Sequence, residues 1–143
     1  ARTCCKPVLS RHTILRRFGG VVTDLRQHLG RVGERLALEH LERLGYRRLA
    51  RNHRTRFGEL DLIVCDDTTI VFVEVKARRV DAAAGPLESV PPAKQRQVRR
   101  MAAAWLVECS NRPRGRELRF DVVGVTVDHN GELIRLDHLE AAF

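Results

Sequence analysis

Asp61, Glu74 and Lys76 are the residues whose types and spacing point most directly to chemistry. Two carboxylates on neighbouring extended segments can converge on one hard cation, and Mg²⁺ typically takes one or two carboxylates with waters and phosphate oxygens. Such an ion polarises a scissile phosphate and acidifies a bound water. Lys76 lies two residues beyond Glu74, so in a strand it projects from the same face. Its ammonium can orient an attacking water or offset charge on the phosphorane. A charged strand face has a plainer explanation, because sheet edges carry charge to resist aggregation. Here Ile70 and Phe72 share the face with Glu74, and a face mixing carboxylates with large apolar groups reads as the lining of a site.

The elements that must position these groups follow from the pattern. A first helix is expected from Leu25 to Leu44, with Asp24 as its N-cap, Gln27 completing a capping box and Gly45 as its stop. Ala37, Leu41 and Leu44 form its apolar stripe, which Glu34 extends by one turn. Residues 46–55 are basic and extended. Gly58 opens a strand with Leu60, Leu62 and Val64 on one face and Glu59, Asp61 and Ile63 on the other. Asp66 to Thr69 is a hairpin turn. It leads into a strand with Val71, Val73 and Val75 opposite Ile70, Phe72, Glu74 and Lys76.

Residues 80–90 read as a loop broken by Gly85-Pro86. Pro91-Pro92 opens a second helix with Val98, Met101 and Trp105 inward. Lys94 lies on that stripe near the helix N-terminus, where a cation opposes the dipole; either a bound phosphate relieves the conflict or the side chain snorkels out to solvent. An Arg- and Gly-rich loop, 111–116, precedes the apolar strand RFDVVGVTV. Within that strand Asp121 either pairs with an arginine or approaches the site. Asn130-Gly131 turns the chain into a short last strand, and HLEAAF is expected as a helical turn. The order describes an α/β fold with a mixed central sheet flanked by helices.

Composition narrows the function classes. The chain has 143 residues, 43% hydrophobic and 31% charged, as suits an ordinary globular domain. Its net charge is +8. Residues 1–24 hold five basic residues against Asp24, and the remainder carries the other +4, so the surplus is not confined to one end. A basic excess favours polyanionic partners. Arg51, Arg54, Arg56, Arg78, Arg79, Arg96 and Arg99 surround the acidic residues in sequence and would form a phosphate track, with Asn52 and His53 offering hydrogen bonds. Few aromatics interleave with them, which favours duplex or branched DNA over stacked single strands. Cys4, Cys5, Cys65 and Cys109 make no zinc spacing and no disulfide framework, so a cytoplasmic location is expected and Cys65 and Cys109 are core thiols. No apolar run is membrane-length, and no membrane partner is expected. Residues 1–24 read as a basic flexible extension, compatible also with a nucleic-acid arm or a transit peptide, and residues 25–143 as a nucleic-acid-binding domain.

The stretches GERLALEHLERLGYRRLARNHR, FGELDLIVCD, VFVEVKAR, PPAKQRQVRRMAAAWL and RFDVVGV resemble, in the same order, the YraN family of small bacterial proteins. The resemblance runs from about Gly30 to Phe143. That family is in turn similar to the PD-(D/E)xK nuclease superfamily, near the archaeal Holliday-junction resolvases. The resemblance implies a restriction-endonuclease-like αβββαβ core with Mg²⁺ or Mn²⁺ held by Asp61, Glu74 and Val75. It places Lys76 in the Glu-x-Lys pair, the helical glutamate on Glu34 and the later helical lysine on Lys94. Leu60 stands where the superfamily has a nominal proline. A homodimer is the assembly such relatives suggest. The expected activity is metal-dependent cleavage of DNA, with a non-catalytic nucleic-acid-binding module as the alternative. Phosphate-driven binding predicts that log affinity for duplex DNA falls with log salt at a slope of about −3 or steeper, measured by titration, whereas a flat line rejects it.

Overall fold

The structure, a computed structural model, describes residues 20–82 and 90–143, with side chains from residue 24 onward. The elements are α1 (Gly20–Arg43), β1 (Arg47–Thr55), β2 (Gly58–Cys65), β3 (Thr69–Arg79), α2 (Pro92–Glu108), β4 (Glu117–Val127) and β5 (Leu133–Leu139). They form the expected α/β arrangement. The five strands lie side by side in chain order. β1 to β3 and β4 to β5 are antiparallel neighbours, whereas β3 and β4 run parallel. A parallel pair needs a long crossover, and α2 provides it.

The sheet is covered on both faces. On one face Ala37, Leu38 and Leu41 of α1 pack on Leu62, Val64, Val71, Val73, Val123 and Val125. On the other, Val98, Met101 and Trp105 of α2 pack on Ile63, Cys65, Ile70 and Phe72. Strands buried on both sides read as near-continuous apolar runs, which is why β2, β3 and β4 are so rich in Val, Ile and Leu. Each fully buried side chain of this size contributes about 1.5–3 kcal/mol by its transfer from water. Phe72 anchors its layer, meeting Trp105 edge-on at 5.8 Å and stacking on Phe120 at 5.4 Å.

Local chemistry sets the ends, and several expectations need correction. α1 closes in a Schellman motif, with Tyr46 N–H donating to Leu41 O and Gly45 at φ 96°. Leu44 therefore leaves the helix before it can face the sheet and is 54% exposed, and Leu38 joins the stripe in its place. α1 begins at Gly20, so Asp24 lies inside the helix rather than capping it. The helix also takes in residues 20–24 of the expected flexible extension, since glycine costs a helix only about 1 kcal/mol. The rest of that extension, the Cys4–Cys5 pair and most of the 80–90 loop lie outside the described residues. HLEAAF is not a helical turn. His138 and Leu139 remain in β5, paired with Val123 and Val122, and only the following residues turn.

One glycine fixes how α1 meets the sheet. A Cβ built on Gly33 would collide with the Ala77 Cβ, so the helix lies directly on β3 at this level. Glu34 is the next residue. Gly33→Ala should therefore cost about 1–3 kcal/mol of stability despite the better helix former, read as a lower urea midpoint. Adding Ala77→Gly should restore most of the loss.

Candidate active site

Asp61 stands where the β2–β3 ladder stops. The pairs run from Cys65↔Ile70 to Leu62↔Val73, and the next would join Asp61 to Glu74. Instead the Asp61 carboxylate accepts the Val75 N–H at 2.8 Å, taking the role a strand carbonyl would have had. The N–H and C=O of a strand residue point to the same edge, so the Val75 carbonyl faces this opening too.

The β1–β2 hairpin reverses its facing at the same level. Arg51 reaches α1, with its Nη2 3.5 Å from Arg31 O and its Nε 3.6 Å from Glu34 Oε2. Two residues later His53 lies on the α2 side, its Nε2 3.5 Å from the Glu108 carboxylate. Their strand partners do the same: Leu62, opposite Arg51, packs with α1, and Leu60, opposite His53, packs with α2. Simple alternation puts residues two apart on one face. Asn52, at φ 49°, supplies the extra half-turn beside Asp61. The expected grouping of Leu60 with Leu62 and Val64 is therefore corrected, and the inward Glu59 as well. Glu59 is turned outward to Arg54 at 3.1 Å.

Electrostatics tie the residues together. Burial pushes the Asp61 carboxyl up to about 7, and the Glu74 and Glu34 carboxylates add to the rise. The Val75 N–H and the Lys94 ammonium oppose it. Lys94 Nζ stands 3.2 Å from Glu74 Oε1, with only 16% of the Glu74 side chain exposed. Glu34 Oε2 is buried with no hydrogen-bond partner among the described residues. The sequence expectation that Lys94 points to the sheet is met, and the Glu74 carboxylate offsets its conflict with the helix dipole.

These groups suit a hard cation. Among the described residues no group of three or more His, Cys, Asp or Glu is placed to hold a metal ion. Mg²⁺ does not require such a group, being held by one or two carboxylates with the remaining positions taken by water and substrate. Asp61, Glu74 and the Val75 carbonyl could supply such oxygens, and a cation there would offset the burial of the Asp61 carboxylate and its repulsion by Glu74 and Glu34. Lys76 lies two residues beyond Glu74 on β3, paired in register with Gly124 of β4.

The basic residues are less uniformly placed. Arg51 lies against Glu34, and Arg96 is exposed on α2 near Lys94. Arg78 contacts Thr126 at 3.3 Å, and Arg79 ends β3. Arg54 is spent on Glu59, Arg56 stacks on Phe57, and Arg99 lies over Phe120 and Phe143. Asp121 is not part of the site. It is fully buried, bridged twice by Arg119 and once by His138, so its ionised form is favoured. Of the two roles left open by sequence, pairing with arginine is the one it has. Cys65 and Cys109 are buried thiols as expected. No helix among the described residues is long and apolar enough to cross a membrane.

Sequence reasoning missed the Val75 amide, the reversal at Asn52 and the Gly33 contact. A glycine beside Glu34 in an otherwise good helix was the one legible signal. The raised Asp61 gives a testable pH dependence. The folded protein holds this proton up to about 7, whereas the unfolded chain releases it near the ordinary value of 3.8. Folding is thus progressively penalised as pH rises between those values. Asp61→Asn removes the penalty, so relative to wild type it should gain at least about 1 kcal/mol between about pH 4 and about pH 8 without divalent ions, measured by thermal melts. A difference independent of pH would contradict the assignment.

The model of the uncharacterised protein family UPF0102 matches residues 33–125, a span containing Glu34, Asp61, Glu74, Lys76 and Lys94. The chain is 46% identical over 120 residues to a UPF0102 protein of Mycolicibacterium gilvum, covering 82% of this chain and 95% of that one. It is 43% identical over 122 residues to a UPF0102 protein of Pelotomaculum thermopropionicum, covering 85% and 100%. A UPF0102 protein of Anaeromyxobacter dehalogenans is 47% identical over 120 residues, covering 84% and 87%. The chain belongs to the UPF0102 family, the YraN family that its motifs resemble.

Proposed function

We propose that this chain is a nucleic-acid-binding, metal-dependent phosphodiesterase acting on DNA, with branched DNA as the favoured substrate class. The observation that carries the reading is the opening between β2 and β3, where the Asp61 carboxylate is raised by burial and by its neighbours Glu74 and Glu34. Mg²⁺ or Mn²⁺ bound by Asp61, Glu74 and the Val75 carbonyl would neutralise the scissile phosphate and acidify a water.

The remaining roles belong to the chain's own residues. The Val75 N–H holds the Asp61 carboxylate in place. Glu34 presents a buried acceptor oxygen and can hold a proton-donating water. Lys76, on the Glu74 side of β3, stabilises the charge that develops on phosphate oxygens. Lys94 holds Glu74 in place until substrate arrives, then turns to the phosphate. Arg51, Arg78, Arg79 and Arg96 hold the flanking backbone, and a second copy of the chain would place two such sites on one branched substrate.

The ion pairs favour a second reading. Lys94 and Arg51 already neutralise Glu74 and Glu34 in part. In a non-catalytic module, those pairs would be the resting purpose of the cluster. The two readings separate on a panel of linear, flapped and four-way DNAs with Mg²⁺ or Mn²⁺. Cleavage that falls by about a hundredfold or more in Asp61→Asn and Glu74→Ala supports the hydrolase. Cleavage unchanged in both variants excludes this site, and salt-sensitive binding without cleavage by either ion leaves the binding module.

A further inference from the structure

A second concentration of positive charge lies at the other end of β3, in the loop joining α2 to β4. Ile70, Leu106 and Leu118 floor an open cavity of about 280 Å³, rimmed by Arg112, Arg114 and Arg116. Ile70 is four strand residues from Glu74, roughly 13 Å at about 3.3 Å per residue, so the cavity is separate from the carboxylate site.

The loop is tied down on both sides. Arg112 N–H donates to Cys109 O at the end of α2, Arg116 Nε donates to Asp66 O, and Glu117 N–H donates to Thr68 O. Gly115, at φ 70°, has open space around it, so a ligand can approach the backbone there. The guanidinia of Arg112 and Arg114 meet no carboxylate among the described residues. Asp66 is nearby, but its Oδ1 is taken by the amides of Thr68 and Thr69. Three arginines within five residues repel one another, and with Arg112 and Arg114 in no ion pair among the described residues an anion is the natural complement.

The floor adds a second requirement. Leu118 is 48% exposed where it borders the cavity, so the occupant should also present an apolar face. The cavity is near the small end of the ligand-site range. We infer that this loop is a second ligand site, taking a nucleotide unit with its phosphate on Arg112 and Arg114 and its base over Leu106 and Leu118. The nucleotide can be free or the phosphorylated end of a nucleic-acid strand.

Isothermal titration of the full chain with AMP, adenosine and inorganic phosphate tests the site. AMP should bind about tenfold tighter than either fragment. Arg112→Gln with Arg114→Gln, and separately Leu118→Asp, should each weaken AMP by about tenfold or more, whereas Asp61→Asn should leave it unchanged. AMP binding no tighter than phosphate, insensitivity to both loop variants, or loss of binding in Asp61→Asn would overturn the proposal. With AMP binding in place, tighter binding of a 5′-phosphorylated oligonucleotide than of its 5′-hydroxyl form assigns the strand end. Equal binding of the two assigns the free nucleotide.

Discussion

A backbone amide in the middle of a sheet must find an acceptor, and Val75 finds one in a side chain. Its N–H would ordinarily meet a carbonyl of β2, but the ladder ends at Leu62↔Val73, two pairs earlier, and the Asp61 carboxylate takes that place. The interaction satisfies a group whose loss would cost about 1–3 kcal/mol. It also brings a carboxylate into a position with little water. The opening between β2 and β3, the proximity of Glu74 and the orientation of the Val75 carbonyl follow from that one substitution of side chain for backbone.

The surroundings are organised around the resulting charge. Glu74 comes from β3 and Glu34 from α1, whose close approach depends on Gly33. Lys94 comes from the first turn of α2, on the opposite face of the sheet. Cations and carboxylates from both helical layers thus meet at one edge of the opening. Partial neutralisation by Lys94 leaves Asp61 raised, because repulsion from two carboxylates and the loss of water outweigh one ammonium and one amide. In the proposed function a divalent cation would reverse this balance, and the outer arginines would hold a phosphate chain against it.

Much of this was legible in residue order. Period-2 runs marked β2 and β3 and a near-continuous apolar run marked β4; alternation along β3 made Glu74 and Lys76 readable, and the helical stripe of α2 did the same for the inward Lys94. What was not readable lies where alternation fails. Asn52 in a left-handed conformation rotates the hairpin, which sends Leu60 to the α2 layer and Glu59 to solvent. A basic run such as RRLARNHRT has no apolar period from which to detect that rotation. The fate of Asp121 was hidden in part: Arg119 shares its face two residues earlier on β4, but His138 reaches it only through the pairing of β4 with β5. The extra turns of α1 were hidden for a different reason, because a plausible cap residue does not end a helix that can continue through it.

The central claim is that Asp61, Glu74 and the Val75 carbonyl share one divalent ion. Anomalous diffraction from a crystal of the full chain soaked in Mn²⁺ tests it directly. The account predicts one Mn²⁺ peak about 2.0–2.3 Å from an oxygen of each of the three groups. Mn²⁺ bound elsewhere, or no peak between β2 and β3 at saturating Mn²⁺, would contradict it.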